Sequence, residues 1–91
     1  MFLMIMVINK RKQVINMTLA QTQNGSKVRI TDLASIDHLV RRRLIDLGIM
    51  EGTVVSLIKA LPFGGPLTIE ALGQRIAIRK CEAERIQVEH A

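Results

Sequence analysis

Apolar and polar side chains alternate with a period of two over most of the chain and change to a period near 3.6 in one stretch. After the turn signal Asn24-Gly25, the run Lys27-Val28-Arg29-Ile30-Thr31-Asp32-Leu33 alternates and predicts a half-buried first strand. Residues 36–47 carry the helical period. On a wheel of about 100° per residue, Ile36, Leu39, Val40, Leu44 and Leu47 share one arc, and His38, Arg41, Arg42 and Ile45 lie opposite. Ser35 is the expected N-cap, Asp37 falls in the first turn where the helix dipole favours an acid, and Gly48 is the expected stop. Glu51-Gly52 then turns into Thr53-Val54-Val55-Ser56-Leu57-Ile58-Lys59-Ala60, whose β-branched content predicts the longest strand. The loop Leu61-Pro62-Phe63-Gly64-Gly65-Pro66 breaks it, Leu67 to Leu72 alternates again, and Gly73 marks a tight turn. In Arg75-Ile76-Ala77-Ile78-Arg79 the isoleucines take one face and the arginines the other. Cys81 to Glu84 predicts a single helical turn, and Ile86 and Val88 a last short strand.

Five short strands and one helix in about 75 residues are too few for a sandwich but enough for a small twisted barrel whose closure protects its edges. The predicted fold is therefore mainly β: a five-stranded barrel with one inserted α-helix and a short helical turn before the last strand. No repeat, low-complexity run or linker interrupts Met17 to Ala91, so residues 17–91 are expected to form one domain and residues 1–16 an N-terminal extension outside its core.

Composition narrows the function. The chain has 91 residues, 48% apolar and 23% charged, which suits one small domain with one core. The single cysteine, Cys81, excludes an internal disulfide framework and a four-cysteine zinc site, and fits a reducing cytoplasm. The formal charge of +5 suggests an anionic partner, yet Lys10, Arg11 and Lys12 supply three of those charges. From Met17 onward ten basic residues face eight acids, so the domain itself is nearly balanced. The apolar run Met1 to Ile8 is far shorter than the roughly 20 residues of a spanning helix, and its basic residues follow rather than precede it, the reverse of a secretory signal. It is expected to be an extension upstream of Met17, the alternative being a strand that pairs with a membrane surface or a partner.

Reactive chemistry is sparse. Cys81, His38 and His90 stand apart in sequence without metal-ligand spacing, so no metal site is assigned. Cys81 is expected to pack as a small hydrophobe, the alternative being a weak adventitious metal site with Glu82 and Glu84. No activated nucleophile with a base is apparent, and Gly64-Gly65-Pro66 leads into a strand without the Lys and helix of a phosphate loop. No enzyme activity and no cofactor are assigned. Single-stranded nucleic acid is the alternative partner, with Arg41, Arg42, Arg75 and Arg79 for phosphates, although Phe63 is the domain's single aromatic for stacking. The same arginines also suit a solvated face with Asp37–Arg41 and Arg42–Asp46 pairs. Arg43 falls inside the apolar arc, where a buried stem and a guanidinium bound to carbonyls or a carboxylate are expected.

Contact is the remaining class. Leu61, Pro62 and Phe63 sit on a Pro/Gly frame that limits the entropy lost on docking, unless Phe63 folds back to plug the barrel end. Ile45 is apolar on the solvent side of the helix, unless it packs under residues 17–24. The candidate partner-binding residues are Arg41, Arg42, Ile45, Leu61, Pro62 and Phe63.

The run Leu39 to Val55, with its Leu47-Gly48 helix end and Gly52 ahead of a strand, followed by Gly65-Pro66-Leu67, Gly73 with Ile76 and Ile78, and Ile86-Gln87-Val88, resembles the ferrous iron transport protein A family, FeoA. The resemblance spans residues 17–91. It implies an SH3-like barrel in the cytoplasm, without catalysis, that assists the membrane ferrous-iron transporter FeoB by binding its cytoplasmic part or by self-association, reaching the membrane only through the transporter. It supplies no metal-ligand motif. A related SH3-like domain ends metal-dependent repressors resembling the diphtheria toxin repressor, whose DNA-binding winged helix has no room here. Oligonucleotide titration separates the two classes of partner: a contact protein binds no better than micromolar near physiological salt, whereas submicromolar binding that tightens steeply as salt falls would favour nucleic acid.

Overall fold

Each strand buries alternate residues, because one face of the sheet packs on the core while the other meets water. The computed structural model describes residues 17–91, and the Met1–Ile8 run and the basic triplet after it lie outside the described residues. Five strands, β1 (Lys27–Asp32), β2 (Val54–Ala60), β3 (Leu67–Ala71), β4 (Gln74–Ile78) and β5 (Gln87–His90), form one antiparallel sheet in the order β4-β3-β2-β1-β5. Helix α1 (His38–Asp46) joins β1 to β2, and the one-turn α2 (Lys80–Ala83) joins β4 to β5. This is the expected five-stranded SH3-like barrel with its inserted helix. A 3-10 turn at Leu19–Gln21, which no sequence pattern announced, precedes β1.

Register shifts between Leu57 and Lys59 on β2 and between Ile30 and Asp32 on β1 bend the sheet round its core. The interior holds Val28, Ile30, Val55, Leu57, Ile69 and Val88 from the strands, and Leu19, Leu33, Leu44, Ile49 and Ile86 from the connections, each at most 2% exposed. Closure is unequal at the two ends of the sheet. β5 is covered on its outer side by residues 17–19, through Val88 N–H to Met17 O (2.8 Å) and Leu19 N–H to Ile86 O (2.9 Å). β4 has no strand partner beyond β3 among the described residues, so the edge protection expected of a closed barrel is absent there.

The helix starts later than the periodicity predicts. Asp37, not Ser35, is the N-cap, its side chain accepting the Leu39 N–H at 2.8 Å. Either residue is chemically able to cap. Burial of Ile36 decides between them, because a turn closed by Ile36 N–H to Leu33 O (3.5 Å) carries it into the core ahead of the helix.

The other end follows the sequence closely. Gly48 lies at φ +86°, its N–H bonds to Ile45 O (2.9 Å), and Ile49 N–H reaches back to Leu44 O (2.8 Å). This pair of bonds is a Schellman motif, sealed by the buried contact partners Leu44 and Ile49. The β3–β4 hairpin packs on it. Ala71 pairs with Gln74 across the two-residue turn Leu72-Gly73, both at positive φ, and Gln74 Nε2 donates to Leu47 O at 3.1 Å. A Cβ at Gly48 would lie 2.9 Å from Leu72 Cδ1, a mobile side-chain tip that can shift aside. Gly48→Ala therefore mainly incurs the left-handed backbone penalty. A loss of about 1–2 kcal/mol is expected, lowering Tm by roughly 4–16 °C in thermal denaturation followed by circular dichroism.

Candidate functional site

The β2–β3 connection carries the most exposed apolar side chain among the described residues. Pro62 O accepts the Gly65 N–H (3.2 Å), and the two residues between, Phe63 and Gly64, lie at φ +60° and +76°. Positive φ at both central positions is the signature of a type I′ turn. A second bond, Leu61 N–H to Pro66 O (3.2 Å), closes the loop. Gly65 is needed here, since a Cβ on it would meet Leu61 Cβ at 2.8 Å. Phe63 is fully exposed, so it does not plug the barrel end. A bulky residue held left-handed costs about 1 kcal/mol or more, and no buried contact in the described structure offsets that cost at Phe63.

Beside this tip lies an open groove of about 890 Å³ between α1, the end of β4 and α2. Leu39, Val40 and Arg43 form its helical wall, Gly64 and Pro66 its upper rim, and Ile78 to Glu82 its far side. A shallower groove of about 410 Å³ continues from Arg43 and Ala77 toward Leu47 and Gln74. Glu82 Oε1 is shielded from solvent without a hydrogen-bond partner, so the wall holds one acceptor in need of a donor.

The grooves exist because several expected burials do not occur. Leu39 is 68% exposed, against its place in the apolar arc. With Ile36 outside the helix, the buried direction is set by Val40, Leu44 and Leu47, and Leu39 lies roughly 100° from their centre. Arg43 is exposed and makes no ion pair or side-chain hydrogen bond among the described residues, since no element packs against that flank. Cys81 is exposed as well, because one-turn α2 directs only Ala83 into the core. Asp37 caps α1 and stands 3.7 Å from His38 Nδ1, and no Asp37–Arg41 ion pair forms; the Arg42–Asp46 pair does form, at 3.7 Å. Both partners of that pair are largely in water, so it contributes little.

The six sequence-derived contact residues are therefore divided. Leu61, Pro62 and Phe63 stand together at the tip, all exposed. Arg41, Arg42 and Ile45 (42% exposed) occupy the helix face turned away from the groove. Leu39, Arg43, Pro66 and Ala77 were missing from that set. The sequence signals for them were Arg43 inside the apolar arc, Pro66 in the Pro/Gly loop and the small Ala77 between outward Arg75 and Arg79. Among the described residues no three His, Cys, Asp or Glu side chains lie close enough to hold a metal ion, and no helix is long and apolar enough to cross a membrane.

A family model described as the FeoA domain matches residues 17–90. The FeoA protein from Chlorobium tepidum is similar at 32% identity and TM-score 0.76, covering 81% of this chain and 70% of that one. The iron(II) transport protein A from Clostridium thermocellum is similar at 28% identity and TM-score 0.73, over 82% of this chain and 46% of that one. A manganese-dependent transcriptional repressor shares the fold alone, at 15% identity and TM-score 0.73 over 82% of this chain and 41% of its own. No curated protein matches the sequence.

The strain at Phe63 can be measured. Glycine there relieves the left-handed penalty but gains freedom in the unfolded chain, and no buried surface is lost at a fully exposed site. Phe63→Gly is expected to stabilise the protein by about 0.5–1 kcal/mol in urea unfolding, with an unchanged m-value. Destabilisation would show that Phe63 is held by contacts within the fold.

Proposed function

The chain belongs to the FeoA domain family, and from that premise we propose that it is a cytoplasmic accessory of ferrous-iron uptake. It acts by binding the cytoplasmic part of the membrane ferrous-iron transporter FeoB, and has no catalysis of its own. Similarity to the iron(II) transport protein A of Clostridium thermocellum supports the transport role. Phe63 carries the contact role. A large apolar ring held in water on a strained turn is costly to the isolated protein and useful only to something that covers it. Leu61 and Pro62 flank the ring, and the pre-set turn keeps the ordering cost of docking low. Arg41, Arg42 and Ile45 form a separate flank on the far face of α1, available to the same partner only if it wraps the helix.

Pull-down of the transporter's cytoplasmic part by the full-length chain tests this. An aromatic anchor of an interface typically contributes 2 kcal/mol or more, so Phe63→Asp is expected to weaken association at least tenfold while the circular dichroism spectrum is unchanged. Ile45→Asp is expected to have a smaller effect. Undiminished association in both variants would refute contact through either surface.

A further inference from the structure

We propose that the outer edge of β4 is a strand-addition site, taking up an extended acidic segment of the partner protein as a sixth strand in the groove between β4 and α1. The proposal deepens the contact role assigned above and rests on it.

Of the two sheet edges, β5 is covered by Met17 to Leu19, with Thr18 bridging Gln87, while β4 has no backbone partner on its outer side among the described residues. Register fixes which groups are free. The two-residue turn makes Ala71 and Gln74 the closing hydrogen-bonded pair, so the backbones of Gln74, Ile76 and Ile78 face β3. Those of Arg75, Ala77 and Arg79 then face outward. Arg79 O is taken by the N–H groups of Glu82 (3.0 Å) and Ala83 (2.9 Å), which ends the open edge there. Arg75 and Ala77 keep both their backbone groups free, and Arg79 keeps its N–H.

The groove follows that edge. Gln74 and Ile76 belong to the inner face of β4, Arg75 and Ala77 to the outer face, and all four line the same groove. Residues of both faces line one groove only when it runs along the strand's edge. It continues past Ala77 to Ile78 and Arg79, and α1 runs antiparallel to β4 as the opposite wall, with Leu47 near Gln74 and Leu39 and Val40 near Ile78. An added strand would find ladder groups on one side and apolar helix side chains on the other, the arrangement by which exposed edges capture peptides.

Charge selects the occupant. Arg43, Arg75, Arg79 and Lys80 line the groove, facing Asp37, Asp46 and Glu82. Asp46 is engaged by Arg42 and Asp37 by the helix N-terminus, whereas Arg43, Arg79 and Lys80 have no ion pair among the described residues. Glu82 is the one uncommitted acid against these three cations, so the uncommitted charge is positive on balance and fits acidic side chains on the incoming strand. A second copy of this chain is disfavoured, because antiparallel pairing of two β4 strands about Ala77 sets Arg75 against the other copy's arginine at position 79.

Amide exchange on the full chain by NMR, with an alternating glutamate–valine octapeptide as probe and a lysine–valine octapeptide as control, tests the site. The acidic peptide is expected to slow exchange at the Arg75 and Ala77 amides at least tenfold, and the basic one to have no effect. Unchanged exchange with the acidic peptide would overturn the proposal, as would slow, concentration-dependent exchange in the chain alone. Ala77→Pro deletes an outward N–H without touching the β3 ladder, a change edge strands tolerate, and is expected to weaken peptide binding at least tenfold. Should that variant lose the native spectrum, Arg79→Glu serves instead, with the preference between the two peptides expected to shift toward the basic one; an unshifted preference would overturn the proposal. In transporter pull-down, loss with Ala77→Pro supports strand addition. Retention with Ala77→Pro alongside loss with Phe63→Asp overturns it and leaves the contact role standing, and retention with both overturns both.

Discussion

Helix α1 packs on the core along one side only, and that constraint shapes the rest of the surface of this protein. Leu44 and Ile49 lock the helix C-terminus to the core through the Gly48 reversal, and Gln74 ties that end to the β3–β4 hairpin. Among the described residues there is one core, and no further element lies over the opposite flank of the helix. Away from that tie the helix stands off from β4, leaving Leu39 and Arg43 in water and the outer edge of β4 uncovered.

What is exposed is also guarded. An open edge next to apolar surface invites aggregation, and β4 carries Arg75 and Arg79 on the same edge, which oppose pairing with another copy of itself. Arg75 sits across from Glu70 at 3.8 Å, a half-exposed pair of small energetic value, while Arg79 has no such partner among the described residues. At the neighbouring tip, Phe63 keeps an unfavourable backbone conformation in full contact with solvent. Both features weaken the protein as an isolated fold and are intelligible in one that spends its working life against a partner.

Much of this was legible in the sequence, for identifiable reasons. Period-two runs gave the strands because one face of each is buried, and Gly48 gave the helix end because a left-handed residue is required there. The loop carrying Phe63 stood out through its Pro and Gly neighbours. Other features depended on facts a one-dimensional pattern does not hold. A helical wheel registers that Leu39 is apolar but not whether any element is left to cover it, and the same blindness misplaced Arg43. The pattern points to Ser35 as the cap with Asp37 in the first turn, and only the path of Ile36 moves the cap to Asp37. The sequence predicts a packed thiol at Cys81 because a single helical turn shows no face in one dimension, and the thiol is exposed. The β4 edge became visible only with the strand order, which places β4 last in the sheet and leaves its outward backbone groups beside α1.

We propose that this protein acts through one continuous surface made of the Phe63 tip, the Leu39 and Arg43 flank of α1, and the edge of β4. Chemical-shift mapping of the labelled full-length chain, on titration with the cytoplasmic part of the ferrous-iron transporter, reports that surface directly. Perturbations concentrated in residues 61–66, 74–80 and the Leu39–Arg43 side of α1 are the predicted result. Perturbations centred on the Arg29–Glu89 face of β1 and β5, or none at all, would contradict it.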